Sequence, residues 1–209
     1  MTQQRKPLLS TRDLATIAIL AAISALLFMV EVPVIPAVPF YKLDVSCLPV
    51  LLGGFAMGPL AGLLVQLVKS LLGLLHSSSQ GVGELADFLM GAAMLLPAAF
   101  IYRRNKRRST AILGMAVGTV AATIVGVLSN LYIMIPFYSA AFGMPVEDIV
   151  AMGSQVFPAV DSLGKFVLMI TAPFNVFKFL VISVLTGLIY KPLSPILHGR
   201  AVGKQANAR

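Results

Sequence analysis

Apolar runs alternate with short polar, basic or proline-rich segments along almost the whole chain. Runs at about 12–30, 47–57, 59–75, 84–102, 110–136 and 163–190 read as six helices. All but the second approach the roughly 20 apolar residues that cross a bilayer. Gly53, Gly54, Gly58 and Pro59 supply the break between the second and third. The first connection, EVPVIPAVPFYKLDVS, carries Pro33, Pro36 and Pro39 at every third position, which predicts an extended, polyproline-like path. HSSSQGVG reads as a polar loop. Residues 139–162 read as a long, mildly acidic loop with a short helix at Pro145–Met152.

The last apolar run holds a lysine near its middle. From Phe166 to Tyr190 the chain reads FVLMITAPFNVFKFLVISVLTGLIY, with Asn175 and Lys178 three apart and so on one helical face. A lysine at mid-membrane costs about 2.5–3.5 kcal/mol on insertion scales, so it points into a protein-lined or water-lined space, pairs with an acid, or snorkels. Asn175 adds an acceptor and two donors on that face. Pro173 removes one helical donor and frees the carbonyl of Met169. A polar pocket inside a membrane bundle is the expectation.

Composition supports that class. The 209 residues are 58% hydrophobic and 11% charged, with mean hydropathy +0.91; soluble domains carry about 25% charged residues. No Walker A or dinucleotide fingerprint occurs, so the chain has no nucleotide engine of its own. The net charge of +8 sits at the ends of apolar runs, which is a topology signal and not a nucleic-acid footprint. Cys47 is the sole cysteine, and His76 and His198 are far apart, so neither an internal disulfide nor a metal-ligand spacing is present. Arg5, Lys6 and Arg12 before the first run imitate a signal peptide, but that run exceeds an h-region of about 7–15 residues and is expected to stay as a helix.

The N-terminal arm, the RRNKRR loop at 103–108 and the tail from Lys191 are basic. The positive-inside rule places them in the cytoplasm, which six helices satisfy with both termini inside. Merging the second and third helices would put RRNKRR outside. Residues 1–193 read as one transmembrane domain and 194–209 as a basic cytoplasmic tail. In the first helix Ala18 and Ala22, and Ala21 and Ala25, are spaced by four, a small-residue face for helix docking or for ordinary bundle packing.

Polar and aromatic residues near the outer side suggest a flat, polar ligand. Tyr41, Lys42 and Asp44 come from the first connection, Asn130 from the fifth helix, and Asn175 and Lys178 from the sixth. Phe40, Glu84 and Asp87 join them, although Phe40 and Tyr41 also suit an interfacial belt and the two acids also suit a helix start. Lys69 either snorkels or reaches the interior. No set of nucleophile, base and orienting group is visible, so an enzyme is not expected.

The stretches PFYKLDVSCLPVLLGGFAMGPLAG and VGELADFLMG, the asparagine in SNLYIMIPFY and the NVFK of the last helix resemble the riboflavin-specific S components of energy-coupling-factor (ECF) vitamin transporters. The resemblance runs from the first helix to about Pro192. KLDVS and the N-x-x-K pair are its most specific parts. It implies an acid after the serine of KLDVS; Cys47 stands there, so Lys42 and Asp44 alone are carried over from that motif. The resemblance further implies an all-α, multi-pass protein of a prokaryotic cell membrane. Its ligand would be riboflavin, with FMN or flavin analogues as further candidates, and it would need no cofactor. Its partners would be a transmembrane coupling subunit, docked on the alanine face, and two ATPase subunits. An S component for another vitamin and a stand-alone secondary carrier are the alternatives. Carriers of that kind often show inverted repeats, and none is visible.

Overall fold

The computed structural model describes residues 10–197, with side chains as far as Tyr190. Arg5, Lys6, His198 and the tail beyond Leu197 lie outside the described residues. The helices are α1 (Thr11–Met29), α2 (Cys47–Met57), α3 (Pro59–Gly73), α4 (Val82–Arg104), α5 (Arg108–Ser129), α6 (Ile135–Phe142), α7 (Val146–Val156), α8 (Leu163–Phe166) and α9 (Ala172–Leu197). Among the described residues, five helical stretches are long and apolar enough to cross a membrane, two of them continuous through several of these elements: Arg108–Phe142 and Leu163–Tyr190. The chain is thus a helical membrane protein. α2 has 11 residues, almost all buried among its neighbours. At 1.5 Å per residue it is about half the length of a hydrocarbon core of about 30 Å.

Gly58, at φ +103°, makes the turn between α2 and α3, a backbone conformation open to glycine. α1 packs on α2 and α3, and α9 packs on α5 and α2. The α4–α5 contact is built from a stripe the sequence reading passed over: Gly114, Gly118, Ala122 and Gly126, every fourth residue of α5. A Cβ on Gly118 would lie 2.4 Å from the Met94 carbonyl oxygen, and one on Gly114 2.8 Å from that of Ala98. The two backbones therefore touch, as small-residue faces permit.

Two apolar cores stack along the bundle. One joins Ile17, Leu20, Phe55, Met94, Tyr102, Met115, Phe179 and Ile182. The other joins Val38 and Tyr41 of the first connection to Ile135, Ile149, Val160, Phe166, Ile170 and Phe174. The short helix expected at Pro145–Met152 is α7, and its buried Ile149 belongs to this second core.

Three expectations change. The first connection does not run as one extended path: residues 35–41 turn back on themselves, so that β1 (Val32–Pro33) and β2 (Lys42–Leu43) pair antiparallel, Val32 opposite Leu43. Pro173 does not simply free a carbonyl. A π-turn at Val167–Thr171 precedes it, and a second at Asn130–Met134 precedes Pro136, so each long helix widens by a residue where proline removes a donor. The alanine face of α1 splits. Ala18 and Ala22 are exposed, Ala25 is half-buried, and Ala21 is wholly buried in the first core. Ala21 therefore packs inward; residues four apart drift around a helix, and the two pairs sit on adjoining strips.

Candidate functional site

The two π-turns put polar side chains on the inner walls of α5 and α9. Asn130 opens the first π-turn, and its amide donates back to the Gly126 carbonyl at 2.8 Å. Asn175 follows the second, and its amide donates to the Thr171 carbonyl at 2.9 Å. Both side-chain carbonyl oxygens are thereby turned away from their own helices. The two helices come close here: a Cβ on Gly126 would meet the Asn175 amide nitrogen at 2.7 Å.

Tyr41 closes this region from the first connection. Its ring stacks on Phe174 at 5.0 Å between centroids and on Phe166 at 6.2 Å, and Phe40 meets it edge-on at 4.9 Å. Its hydroxyl donates to Asn130 Oδ1 at 3.2 Å and bonds the Thr171 hydroxyl. Burial pushes the Tyr41 phenol above its ordinary range against the opposing pull of the Thr171 bond, so it remains a neutral donor.

Lys178 is only 8% exposed and its ammonium lies 2.6 Å from Asp44 Oδ2. The other Asp44 oxygen accepts from the Ser46 amide at 2.9 Å and from the Ser46 hydroxyl. Burial alone would raise the Asp44 carboxyl. The charges of Lys178 and Lys69, with hydrogen bonds from Lys178 and Ser46, outweigh it and hold the group at about 2. Ser46 passes the network on: Lys69 Nζ donates to its hydroxyl at 3.1 Å and pairs with Asp87 Oδ2 at 2.6 Å. Gln66 and Ser70 also donate to Asp87. Lys69 is fully buried, and its ammonium stands 5.1 Å from the Phe28 ring centroid. It reaches the interior and does not snorkel.

A cavity of about 310 Å³ opens beside these groups, near the lower end of ordinary ligand sites. All nine candidates line it: Phe40, Tyr41, Lys42, Asp44, Glu84, Asp87, Asn130, Asn175 and Lys178. Glu84 is buried and accepts from Ser77 at 2.8 Å and Ser79 at 3.1 Å. Lys42 is held at the rim by an ion pair with Glu31. The arrangement offers aromatic faces, amide donors and acceptors, the ammonium groups of Lys178 within and Lys42 at the rim, and buried carboxylates to a flat polar molecule. Among the described residues no group of histidine, cysteine and acidic side chains is placed to hold a metal.

Sequence reasoning missed Phe174, Thr171, Ser79 and the Lys69–Ser46 link. Phe174 and Thr171 flank a proline inside an apolar run and carried no signal of their own. Lys69 did carry one, since a lysine within an apolar run needs a partner.

Residues 12–190 match the family described as ECF transporter, substrate-specific component. The riboflavin transporter RibU of Staphylococcus aureus (strain TCH60) is 35% identical over 89% of this chain and 92% of its own length. The riboflavin transporter FmnP of Bacillus subtilis (strain 168) is 27% identical over 90% of this chain and 94% of its own. A solved S component of a bacterial ECF transporter superposes with a TM-score of 0.71 at 34% identity, covering 89% of this chain and 97% of that one. With the family matched across all the long helices, the chain belongs to the substrate-specific components of ECF transporters.

Proposed function

We propose that this chain is the riboflavin-binding subunit of an ECF importer in the plasma membrane of a prokaryote. The observation that carries the reading is the convergence of the aromatic, amide and charged groups of four separate segments on one cavity: the first connection, the start of α4, the π-turn after α5, and α9. The fused rings of a flavin suit the stacked aromatic wall of Tyr41 and Phe174. The pyrimidine edge, which alternates carbonyl acceptors with an N–H donor, suits Asn175 and Lys178. The polyol chain suits Glu84 and its serines. FMN and flavin analogues are candidate ligands of the same site. The names of the relatives in Staphylococcus aureus and Bacillus subtilis favour riboflavin over other vitamins.

The fold is read as six transmembrane helices with both termini in the cytoplasm, α2 being a short sixth crossing buried in the bundle. The basic loop at Arg103–Arg108 then faces the cytoplasm, and the first connection covers the cavity from outside. Riboflavin is captured there. A coupling membrane protein, docked on the exposed Ala18 and Ala22, and a pair of ATPases supply the energy that turns the site inward. This chain performs no catalysis.

The test is direct. Purified protein expressed in riboflavin-replete cells should be yellow, and the released flavin should be stoichiometric with protein. Colourless protein that also fails to quench added riboflavin fluorescence would overturn the assignment.

A further inference from the structure

A second concavity lies at the opposite end of the bundle from the candidate site. It is a groove of about 1350 Å³ between the start of α5 and the second half of α9. Its walls are largely apolar: Ile112, Met115 and Ala116 on one side, Leu180, Val184 and Leu188 on the other. Four of these are more than half exposed: Ile112, Leu180, Val184 and Leu188. Gly187 leaves a notch in the α9 wall, since a Cβ there would meet nothing within 4 Å. The floor is a closed aromatic set of Phe55, Tyr102 and Tyr190, the two tyrosine hydroxyls 3.0 Å apart. The Ser183 hydroxyl in the wall is buried without a hydrogen-bond partner among the described residues.

The mouth of the groove is different in kind. Lys106, Arg107 and Arg108 line it together at the N-terminus of the 22-residue α5. No carboxylate lines the groove, and none of these cations is in an ion pair among the described residues. The helix dipole adds positive potential at the same point.

We propose that this groove is a binding site for an anionic phospholipid, its phosphate held by Lys106–Arg108 and its acyl chains laid between α5 and α9. The occupant must be anionic at one end and apolar along the rest. Basic pockets between transmembrane helices have that character for lipid headgroups. The parts of the chain outside the described residues do not suit the mouth. Residues 1–9 hold Arg5 and Lys6, and 198–209 hold Arg200, Lys204 and Arg209, with no acidic side chain in either. The inference stands on the groove alone and does not depend on the flavin assignment, because none of these residues lines the other cavity.

The test uses the full chain, delipidated in neutral detergent and examined by native mass spectrometry. Phosphatidylglycerol, phosphatidylcholine with the same chains, and glycerol phosphate are added in parallel. Phosphatidylglycerol should be retained at least about tenfold better than phosphatidylcholine, since each cation near an anionic surface contributes measurably. Glycerol phosphate, lacking chains, should not bind. K106Q/R107Q/R108Q should bring the two lipids to parity; Arg103 and Arg104 are kept so that the loop stays basic. Gly187→Phe, which fills the notch, should reduce retention of both lipids with the charges untouched. Riboflavin affinity, measured on each variant, should not change. Equal retention of the two lipids, a preference that survives the triple substitution, or retention unaffected by Gly187→Phe would overturn the proposal. So would binding of glycerol phosphate as tight as the lipid's, or a dimer that Gly187→Phe dissociates, which would make a second copy the occupant.

Discussion

Lys178→Met tests whether the buried ion pair belongs to the fold, to the ligand site, or to both. In the native protein Lys178 and Asp44 meet at 2.6 Å, and Asp44 is 4% exposed. Removing one partner of a buried pair costs about 3–5 kcal/mol, because the other charge stays buried without compensation. Asp44 keeps the Ser46 amide at 2.9 Å and the Ser46 hydroxyl, and Lys69 stands behind Ser46. The lower end, about 3 kcal/mol, is therefore expected, or about 6–12 °C in melting temperature on the scaling for domains of this size. Lys178→Met/Asp44→Asn removes both charges and leaves an amide oxygen to accept from Ser46, so most of the loss should be recovered. The assay is thermal unfolding of ligand-free protein in detergent. A double variant as unstable as the single one would refute the orphaned-charge argument.

Two further readouts sharpen it. Riboflavin affinity, by fluorescence quenching, should fall by more than about 1.5 kcal/mol in the single variant, and it should stay low in the double variant, because the charged donor is missing from both. Wild-type affinity in the double variant would remove Lys178 from the site. The pH dependence follows from the Asp44 carboxyl, held at about 2 in the native protein. A carboxyl depressed below its unfolded value, about 3.9, stabilises above that value, and the contribution is lost as pH falls through about 2. Without Lys178 the depression weakens and burial gains ground. The stability gap between wild type and Lys178→Met should therefore narrow as pH is lowered from 7 toward 4.

Gly126→Ala places a methyl against the end of a flexible side chain, the Asn175 amide, at 2.7 Å. Stability should change little while riboflavin affinity drops about tenfold, or about 1.4 kcal/mol; unchanged affinity in a titration would detach Asn175 from the ligand. Ala18→Leu and Ala22→Leu lie on the exposed face of α1 and should leave flavin binding intact while abolishing uptake with the coupling module, whereas buried Ala21→Leu should lower the melting temperature itself. If binding and uptake fall together at Ala18 and Ala22, those alanines are not a docking face. With Cys47 replaced, single cysteines at Ser10, Asn105 and Asn207 should resist an impermeant thiol reagent added to intact cells; labelling at any of them would contradict the six-crossing topology.

Hydropathy alone located every long helix, because the bilayer demands about 20 apolar residues with their backbone hydrogen bonds made within the segment. It also marked Lys178 and Lys69 as residues in need of partners, since a charge in an apolar run is costly wherever it lies. The partners were not legible. Asp44 is 134 residues from Lys178, and Asp87 lies beyond a polar loop from Lys69. Either acid read as well as a helix-start or loop residue, and pairing is decided by which helix faces which. The same holds for α1, where spacing alone gave two alanine pairs and only packing showed Ala21 facing the core. The glycine stripe of α5 became informative only when α4 lay across it. The prolines at 136 and 173 announced an interruption of their helices, but not its form. That each becomes a π-turn turning an asparagine inward depends on neighbouring helices that hold the widened turn in place. Segment identity is a local property of solvent transfer and is written in the chain. The site is a property of close approach between distant segments, and only the tertiary structure decides it.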